Sequence, residues 1–259
     1  MKRSRGDERG SRRARAFLDA LFLIAAALCA AALLRAFVVE SFRIPTGSME
    51  PTLLPGDAVL VSKLSYGAHS PDVLSALGLP RFRLPALSPL RRGDVVAARF
   101  TDPTPDGGGR ERVIIKRCGA LPGDLVRITD EGVRVNELPA APESFIVPAR
   151  GSRLRLTPGT IGAWRALIAS EGHDIAVSGE GEILVDGVVT GEYTVEHDYL
   201  YLLGDNQARS RDSRAWGPVR AEALIGKVAM IYWSADQGSG SDGSFLPSVR
   251  WSRIGSLVR

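Results

Sequence analysis

A long apolar segment near the start of the chain constrains its fold more than any other feature. Residues 17–39 are almost wholly apolar and are interrupted only by Asp19 and Arg35. About 20 apolar residues are enough to cross a bilayer as a helix. The two charged side chains lie near the ends of the segment, where they can reach the lipid headgroups. The sequence therefore predicts a transmembrane anchor over residues 17–39.

A basic stretch precedes this segment and predicts its orientation. Residues 1–15 contain seven basic and two acidic side chains, whereas the whole chain has a net charge of +4. Basic flanks of a membrane helix stay on the cytoplasmic side. We therefore expect residues 1–16 to form a cytoplasmic tail that contacts lipid, with the rest of the chain across the membrane. No other feature indicates nucleic-acid binding.

Two other interpretations of the apolar segment remain open. A cleaved signal peptide would use the small residues Ala30-Ala31-Ala32. A lipoprotein signal would end at Cys29, although Leu28 is large for the position before such a cysteine. The length of the segment favours a retained anchor. The second cysteine, Cys118, lies far from the span, so we predict no disulfide.

After residue 39 the pattern changes to short β-strands. They are rich in Val and Ile and are bounded by Gly, Pro and Asp, which is typical of strands joined by turns. The predicted strands are Ala58–Lys63, Asp94–Phe100, Arg112–Arg117, Asp124–Thr129, Gly132–Asn136, Ile183–Val185, Tyr199–Leu203 and Lys227–Trp233. Most connections suit hairpins rather than helical crossovers, so we expect a mainly β fold with a largely antiparallel sheet.

The chain divides into a main β domain and an insertion. We expect residues 40–137 and 196–235 to form the main domain, which carries the candidate catalytic residues. Residues 138–195 are expected to form an inserted β-rich subdomain with a short helix around Trp164–Ile168. Residues 236–259 form a C-terminal tail to which we assign no role. Loops or linkers are predicted at Pro71–Leu90, Asp102–Gly109 and Gln237–Ser244.

Two side chains of the main domain could act as nucleophile and base. Ser48 lies just beyond the anchor and follows Gly47, which lets the backbone approach a bound peptide. Lys116 follows the apolar residues Val113-Ile114-Ile115, and burial there would favour its neutral amine. A neutral amine can take the proton of a serine hydroxyl and make it a nucleophile. Taken singly, Ser48 fits an ordinary turn and Lys116 fits the wet face of a strand.

A third motif follows the predicted strand Tyr199–Leu203. Residues 204–214 read Gly-Asp-Asn-Gln-Ala-Arg-Ser-Arg-Asp-Ser-Arg. Such a polar stretch fits a solvated, hydrogen-bonded loop. It equally fits a scaffold in which Ser210 orients the lysine amine and Asp212 forms a rigid bidentate pair with Arg214.

The three motifs, in this order behind an apolar N-terminal segment, resemble bacterial type I signal peptidase (leader peptidase), a serine–lysine peptidase family. Residues 44–53, Ile-Pro-Thr-Gly-Ser-Met-x-Pro-Thr-Leu, resemble the nucleophile motif of that family. Ile-Lys-Arg followed by Leu-Pro-Gly-Asp, within residues 115–124, resembles its lysine motif. Residues 204–214 resemble its third motif. The resemblance extends from about residue 17 to residue 233.

The resemblance implies a membrane-bound serine endopeptidase of the bacterial cytoplasmic membrane, with its catalytic domain on the extracytoplasmic face. It would remove signal peptides from exported preproteins by cutting after small residues, as in Ala-x-Ala. The implied catalytic residues are Ser48 and Lys116, with Thr46 and the Ser48 backbone N–H as oxyanion donors. The implied supporting residues are Ser210, Gly204, Asp212 and Arg214, and Phe42, Ile44, Pro45 and Ile115 would bind substrate. No metal or cofactor is implied, and we expect a monomer whose partners are preproteins and membrane lipids.

The sequence departs from the family pattern at three places. Thr46 stands where serine is common in some members, which keeps the hydroxyl. Gly119-Ala120 stands where a bulky residue and then glycine are usual, and Gln207-Ala208-Arg209 replaces Arg-Asp-Asn. None of these changes removes an implied catalytic group, and we assign no role to residues 207–209.

Other functions remain as alternatives. A specialised conjugation or pilus maturation peptidase would share every motif, and a catalytically inactive, membrane-tethered binding module would share the fold. A self-cleaving SOS-type repressor would need a DNA-binding helix-turn-helix where this chain has its apolar segment. A histidine-based site is disfavoured because His69, His173 and His197 fall in predicted loops and Gly-x-Ser-x-Gly is absent. Neither Cys-x-x-Cys nor His-Glu-x-x-His is present to indicate zinc.

Overall fold

The computed structural model describes residues 5–76, 78–80, 82–101, 110–130, 132–137, 144–236 and 248–259. The loop predicted at Asp102–Gly109, the linker predicted at Gln237–Ser244 and the first six residues of the predicted insertion lie outside the described residues.

One long helix, α1 (Arg5–Phe37), leads into the β fold. Its portion Phe17–Phe37 is long and apolar enough to cross a membrane, and its side chains are not buried against the rest of the protein. The apolar side chains of this portion therefore face outward, as the side chains of a helix surrounded by lipid must.

The junction between α1 and the first strand is short and braced. The strand begins at Val39, so Val38 alone separates it from the helix. Lys63 Nζ donates hydrogen bonds to the carbonyls of Arg35 (3.0 Å) and Ala36 (3.3 Å) and pairs with Glu40 (2.8 Å). A cation at a helix C-terminus satisfies carbonyls that have no partner within the helix.

The remaining elements are short. The other α-helices are α2 (Asp72–Ala76), α3 (Ile161–Ser170) and α4 (Ser213–Trp216). The strands are β1 (Val39–Arg43), β2 (Asp57–Ser62), β3 (Val95–Thr101), β4 (Glu111–Ala120), β5 (Leu125–Thr129), β6 (Gly132–Val135), β7 (Ser144–Ile146), β8 (Arg153–Arg155), β9 (Ile175–Val177), β10 (Ile183–Val185), β11 (Val188–Val189), β12 (Glu192–Thr194), β13 (Tyr199–Leu203), β14 (Val219–Arg220) and β15 (Leu224–Ser234).

Seven strands form the main sheet, in the order β1-β2-β15-β3-β4-β13-β14. Every neighbouring pair in it is antiparallel. The predicted mainly β, largely antiparallel fold behind one N-terminal helix is therefore confirmed. Strand β1 was not predicted, because its sequence Val-Glu-Ser-Phe-Arg directly continues the apolar segment.

Three similar turns start strands of the main sheet and the neighbouring sheet. Each has a glycine with positive φ, at Gly56 (91°), Gly93 (90°) and Gly123 (84°). The aspartate after each glycine accepts a hydrogen bond from the backbone N–H three residues earlier, Asp57 from Leu54 (2.8 Å), Asp94 from Arg91 (3.0 Å) and Asp124 from Leu121 (2.7 Å). Glycine supplies the backbone conformation and aspartate closes the turn.

The inserted region builds small sheets around its own core. β8 pairs with β12, β10 lies between β9 and β11, and β7 joins β5 and β6 in a separate three-stranded sheet. The hydrophobic cluster there combines residues of α3 and these strands with Tyr199 and Tyr201 of the main sheet. Because β7 pairs with β5, which in turn pairs with β6, these two strands share a sheet with the insertion and do not belong to the seven-stranded sheet.

Residues 248–259 pack against the main sheet. Val258 lies in the hydrophobic cluster with Val59 and Val61, and Leu257 bridges to Met230. Arg253 Nη2 donates to the Asp57 carboxylate at 2.6 Å and to the carbonyl of Thr52 at 2.9 Å.

We predict that this ion pair matters for stability because Asp57 is fully buried. Replacing Arg253 by alanine should lower the free energy of unfolding by about 3 kcal/mol, since the buried carboxylate would lose its closer cation and keep only Arg250 Nη2, at 3.8 Å. Arg153, whose side chain is 75% exposed and lies 3.6 Å from Glu192, is the matched control. Arg153→Ala should cost less than about 1 kcal/mol. Denaturant unfolding in detergent measures the free energy of unfolding of each variant. Equal decreases in the two variants would contradict the role given to the Arg253–Asp57 pair.

Candidate active site

Ser48 lies on a tight turn that follows β1. Residues Gly47–Met49 form a single turn of 3-10 helix. The turn is fixed from one side by Met49 and Leu53, which are buried in the core between the strands. The Ser48 side chain is half-buried and remains reachable from the cleft described below.

Lys116 lies inside the protein because β4 alternates between two environments. Ile114, Lys116 and Cys118 are buried, whereas Ile115 and Arg117 between them are half-buried. Only 5% of Lys116 is exposed. Period-two alternation therefore carries the lysine onto the face occupied by apolar side chains.

Burial lowers the pKa of the Lys116 amine, because removal from water disfavours the charged form. The negative charges of Asp212 and Asp205 act in the opposite direction, and the positive charge of Arg112 lowers the pKa further. The net shift is downward. The Lys116 amine therefore loses its proton at a lower pH than the amine of an ordinary surface lysine.

Lys116 and Ser48 are in direct contact. Lys116 Nζ lies 2.7 Å from Ser48 Oγ, which is hydrogen-bonding distance. When the amine is neutral, the same contact lets the hydroxyl donate its proton to the nitrogen. A hydroxyl held against an amine of lowered pKa is the arrangement that a nucleophile and its general base require.

The third motif folds around a fully buried carboxylate. Asp212 accepts hydrogen bonds from the backbone N–H of Gly204 (3.0 Å) and from the Arg214 guanidinium at Nε (2.8 Å) and Nη2 (2.9 Å). Burial raises the pKa of this carboxyl, but the hydrogen bonds outweigh burial and the pKa is lowered overall. The predicted Asp212–Arg214 pair is therefore present and ionised.

The same motif is docked onto the turn that carries Ser48. The backbone N–H of Asn206 donates to the Ser48 carbonyl at 3.1 Å, and Asn206 Nδ2 donates to Glu50 at 3.3 Å. Gly204 lies so close that a Cβ placed on it would be 2.6 Å from the Ser48 carbonyl oxygen and in collision with Ser210. Glycine at position 204 is thus required by the close approach of two backbone segments.

Ser210 does not make the hydrogen bond to Lys116 that the sequence led us to expect. Among the described residues, its buried Oγ has no hydrogen-bond partner of normal geometry, although it lies against Gly204 and close enough to Asp212 to lower the pKa of that carboxyl. The Lys116 amine is instead directed at Ser48. Ser210 is therefore close to the serine–lysine contact without joining it.

Arg117, which sequence analysis did not single out, links the three motifs. Its guanidinium forms a bidentate pair with Asp205 at 2.7 and 2.6 Å and also donates to Thr52 Oγ1 at 3.2 Å. Asp205 belongs to the third motif and Thr52 to the turn after Ser48. The sequence shows that Arg117 and Asp205 lie in two separate motifs and carry opposite charges. It does not show that they pair, because they are 88 positions apart and only the fold brings them together.

A cleft of about 420 Å³ opens beside Ser48 and Lys116. All six residues predicted for the oxyanion and substrate sites line it, namely Phe42, Ile44, Pro45, Thr46, Ser48 and Ile115. Residues that sequence analysis did not assign also line it, and they include Arg43, Arg112, Arg209, Arg211 and Trp216. A larger cavity of about 530 Å³ lies beside the end of α1 and contains none of the predicted site residues.

The cleft lies between two strand edges. β1 is the first strand of the main sheet and, among the described residues, pairs with β2 alone. β4 pairs with β13 only from Arg117 onward, so on that side residues 111–116 pair with no strand among the described residues. Edges of this kind offer backbone N–H and C=O groups to an extended peptide.

The three histidines are engaged away from Ser48. His173 contacts Asp186 (2.6 Å) and Glu196 (3.1 Å). His197 contacts Glu222 and Arg220, and His69 forms a backbone bridge with Arg83. Within the described residues, no cluster of three or more His, Cys, Asp or Glu side chains is arranged to hold a metal ion.

We predict that Gly204→Ala destabilises the protein. The added methyl group would collide with Ser210 and the Ser48 carbonyl, at a cost of about 1–3 kcal/mol in the free energy of unfolding. Gly162→Ala is the control, because nothing lies within 4 Å of the added atom and the residue is in α3. The control should be neutral or should stabilise by up to about 1 kcal/mol. Similar melting temperatures for both variants would contradict the close packing at residue 204.

Comparison with known proteins assigns the chain to a family. A sequence model of the family described as "Signal peptidase, peptidase S26" matches residues 17–233. A signal peptidase I of Pseudomonas aeruginosa is 32% identical over 256 residues, covering 94% of this chain and 78% of that protein. A signal peptidase I of Rickettsia typhi is 31% identical over 203 residues, covering 76% of this chain and 73% of that protein. One of Pseudomonas fluorescens is 29% identical over 238 residues, covering 85% of this chain and 71% of that protein. The chain therefore belongs to the S26 signal peptidase family and is a membrane-anchored serine peptidase.

Proposed function

We propose that this protein removes signal peptides from exported preproteins, with Ser48 as nucleophile and Lys116 as general base. Membership of the signal peptidase family supports the reaction class. The observation that carries the assignment of residues is the 2.7 Å contact between Lys116 Nζ and Ser48 Oγ, formed by an amine that is 5% exposed.

The proposed reaction proceeds in two halves. Neutral Lys116 takes the Ser48 proton while Oγ attacks the scissile carbonyl carbon, and the resulting ammonium then gives a proton to the leaving amine. This leaves an ester between Ser48 and the signal peptide. Lys116, neutral again, takes a proton from water as the water attacks the ester, and the proton returns to Ser48 Oγ. The products are the signal peptide with a free carboxylate and the mature protein with a free amine.

The oxyanion of each tetrahedral intermediate would be held by the Thr46 hydroxyl and the Ser48 backbone N–H. Thr46 lines the cleft two residues before the nucleophile. Donors placed where negative charge develops contribute about 3 kcal/mol each to lowering the barrier. Gly204, Ser210, Asp212 and Arg214 would keep the third motif docked against the Ser48 turn.

The substrate is proposed to bind as an extended strand between β1 and β4. Phe42 and Ile44 on one edge, and Ile115 on the other, would form shallow apolar pockets for the first and third residues before the cut. Pro45 limits the conformations of the turn that leads to Ser48. Shallow pockets of this kind accept small side chains and exclude large ones, which favours cleavage after Ala-x-Ala-like sequences.

The proposed location is the bacterial cytoplasmic membrane, with the cleft on the extracytoplasmic face. The seven basic residues before the span favour a cytoplasmic N-terminus. Preproteins and membrane lipids are the proposed partners, and the protein is proposed to act as a monomer without a cofactor. The serine–lysine contact argues against an inactive binding module, whereas a peptidase with a specialised substrate would use the same site.

The first test is cleavage of an Ala-x-Ala preprotein in detergent by the parent chain, Ser48→Ala and Lys116→Ala. Each variant should lose at least about 10³-fold in kcat, because the nucleophile or its base is removed. A preprotein with phenylalanine in place of the last alanine is the matched substrate control and should resist the parent enzyme. Normal cutting by Lys116→Ala would rule out that residue as the base, and an inert parent would count against the proposed function.

The second test is the pH dependence of kcat/KM. Only neutral Lys116 can accept a proton, so the rate should fall as pH drops through the lowered pKa of this amine. Arg112 lowers that pKa, so Arg112→Gln should raise it and move the acid limb to higher pH. Arg153→Gln, at an exposed position in the insertion, should leave the limb in place. An unchanged limb in Arg112→Gln would contradict the electrostatic coupling between the two residues.

A further inference from the structure

Arg43 is a charged residue between two apolar ones on β1. Ile44 is buried in the hydrophobic cluster between the strands and Phe42 packs against that cluster, whereas Arg43 is exposed. Because the side chains of a strand alternate between its two faces, the guanidinium projects from the face opposite to Phe42 and Ile44. All three residues line the cleft beside Ser48. The edge of β1 therefore presents apolar side chains on one face and a positive charge on the other.

The charge of Arg43 is not paired with a carboxylate of the described residues. No Asp or Glu is among the described residues that line the cleft. Glu40, at the other end of β1, is paired with Lys63 at 2.8 Å. Glu50, which follows the Ser48 turn, accepts a hydrogen bond from Asn206. A guanidinium without such a partner attracts a ligand group of the opposite charge.

The two strand edges determine which residue of a bound peptide would meet Arg43. Under the proposed function the peptide lies as a strand between β1 and residues 111–116 of β4, with its first and third residues before the cut beside Phe42, Ile44 and Ile115. Side chains that lie side by side on neighbouring strands share one face of the sheet. The second residue before the cut then points to the opposite face. Its side chain would therefore lie beside Arg43, which is itself the residue between Phe42 and Ile44.

We propose that Arg43 makes this peptidase prefer preproteins with an acidic side chain at the second residue before the scissile bond, the middle residue of Ala-x-Ala. The inference rests on the proposed function and names a substrate class within it. The guanidinium donates hydrogen bonds to the carboxylate, which a neutral isostere accepts less strongly. Exposed pairs of opposite charge on adjacent strands contribute modestly, so Arg43 raises kcat/KM for the acidic substrate by up to about fivefold.

The test compares two otherwise identical peptides that contain Ala-Glu-Ala or Ala-Gln-Ala before the cut. The quantity measured is the ratio of kcat/KM for the glutamate peptide to kcat/KM for the glutamine peptide, with the full chain in detergent. The pH is set above the acid limb of the rate, so that Lys116 is neutral with both peptides. The parent should show a ratio of about two to five, and added salt should lower it because exposed charges are screened.

Four variants assign the ratio to its source. Arg43→Gln should bring the ratio close to one, and Arg43→Lys, which keeps the charge, should keep it above one. Arg43→Glu should prefer an Ala-Lys-Ala peptide to the glutamine peptide, a reversal that a merely disturbed strand would not produce. Arg209→Gln removes another exposed arginine of the cleft and should keep the ratio of the parent.

The remaining outcomes separate this inference from the proposed function. Equal cutting of the glutamate and glutamine peptides by the parent would overturn the preference and leave the proposed function in place. A ratio that persists in Arg43→Gln, or that falls as far in Arg209→Gln, would show that Arg43 is not the residue that recognises the charge. Failure of the parent to cut the glutamine peptide while it stays folded would overturn the proposed function, and the substrate class with it.

Discussion

The contact between Lys116 and Ser48 is the interaction on which the rest of the site depends. The two residues are 68 positions apart, and the main sheet brings them together because β1 leads into the Ser48 turn and β4 carries the lysine. Burying an amine costs free energy, and the packed strands around it must offset that cost. In return, the amine is more easily neutral, and a serine hydroxyl lies within reach of it.

The alternation of β4 serves two purposes at adjacent residues. It directs Lys116 to the buried side and leaves Arg117 free to reach Asp205 and Thr52. Arg117 is then bonded to the two segments whose separation would break the Lys116–Ser48 contact. A bidentate guanidinium–carboxylate pair restricts orientation as well as distance, and both must be fixed if Ser48 is to be held against Lys116 as the proposed nucleophile and base.

Part of this arrangement could be predicted from the sequence and part could not. Eight strands (β2, β3, β4, β5, β6, β10, β13 and β15), the antiparallel fold and the three motifs follow from local patterns of residues, whereas β1 and the short strands β7, β8, β9, β11, β12 and β14 were not predicted. The side of β4 on which Lys116 lies could not be read locally, since alternation fits either face until a partner is known. The same holds for the Arg253–Asp57 pair, whose members are 196 positions apart. The segment predicted as a C-terminal tail therefore packs on the main sheet and contributes Val258 to the core. Ser210 is a different case. The third motif correctly predicts that it lies near the serine–lysine contact, but the predicted hydrogen bond from Ser210 to Lys116 is not formed.

The braced junction at Lys63 has a consequence for how the protein meets its substrate. With one residue between helix and sheet, and Lys63 bonded to the last carbonyls of the helix, the β fold has little freedom to move relative to α1. With α1 in a bilayer, this junction would hold the cleft at a nearly constant height above the lipid. Under the proposed function, a substrate that is itself anchored by a membrane helix would then be cut only at the bonds that lie at the matching distance from that helix.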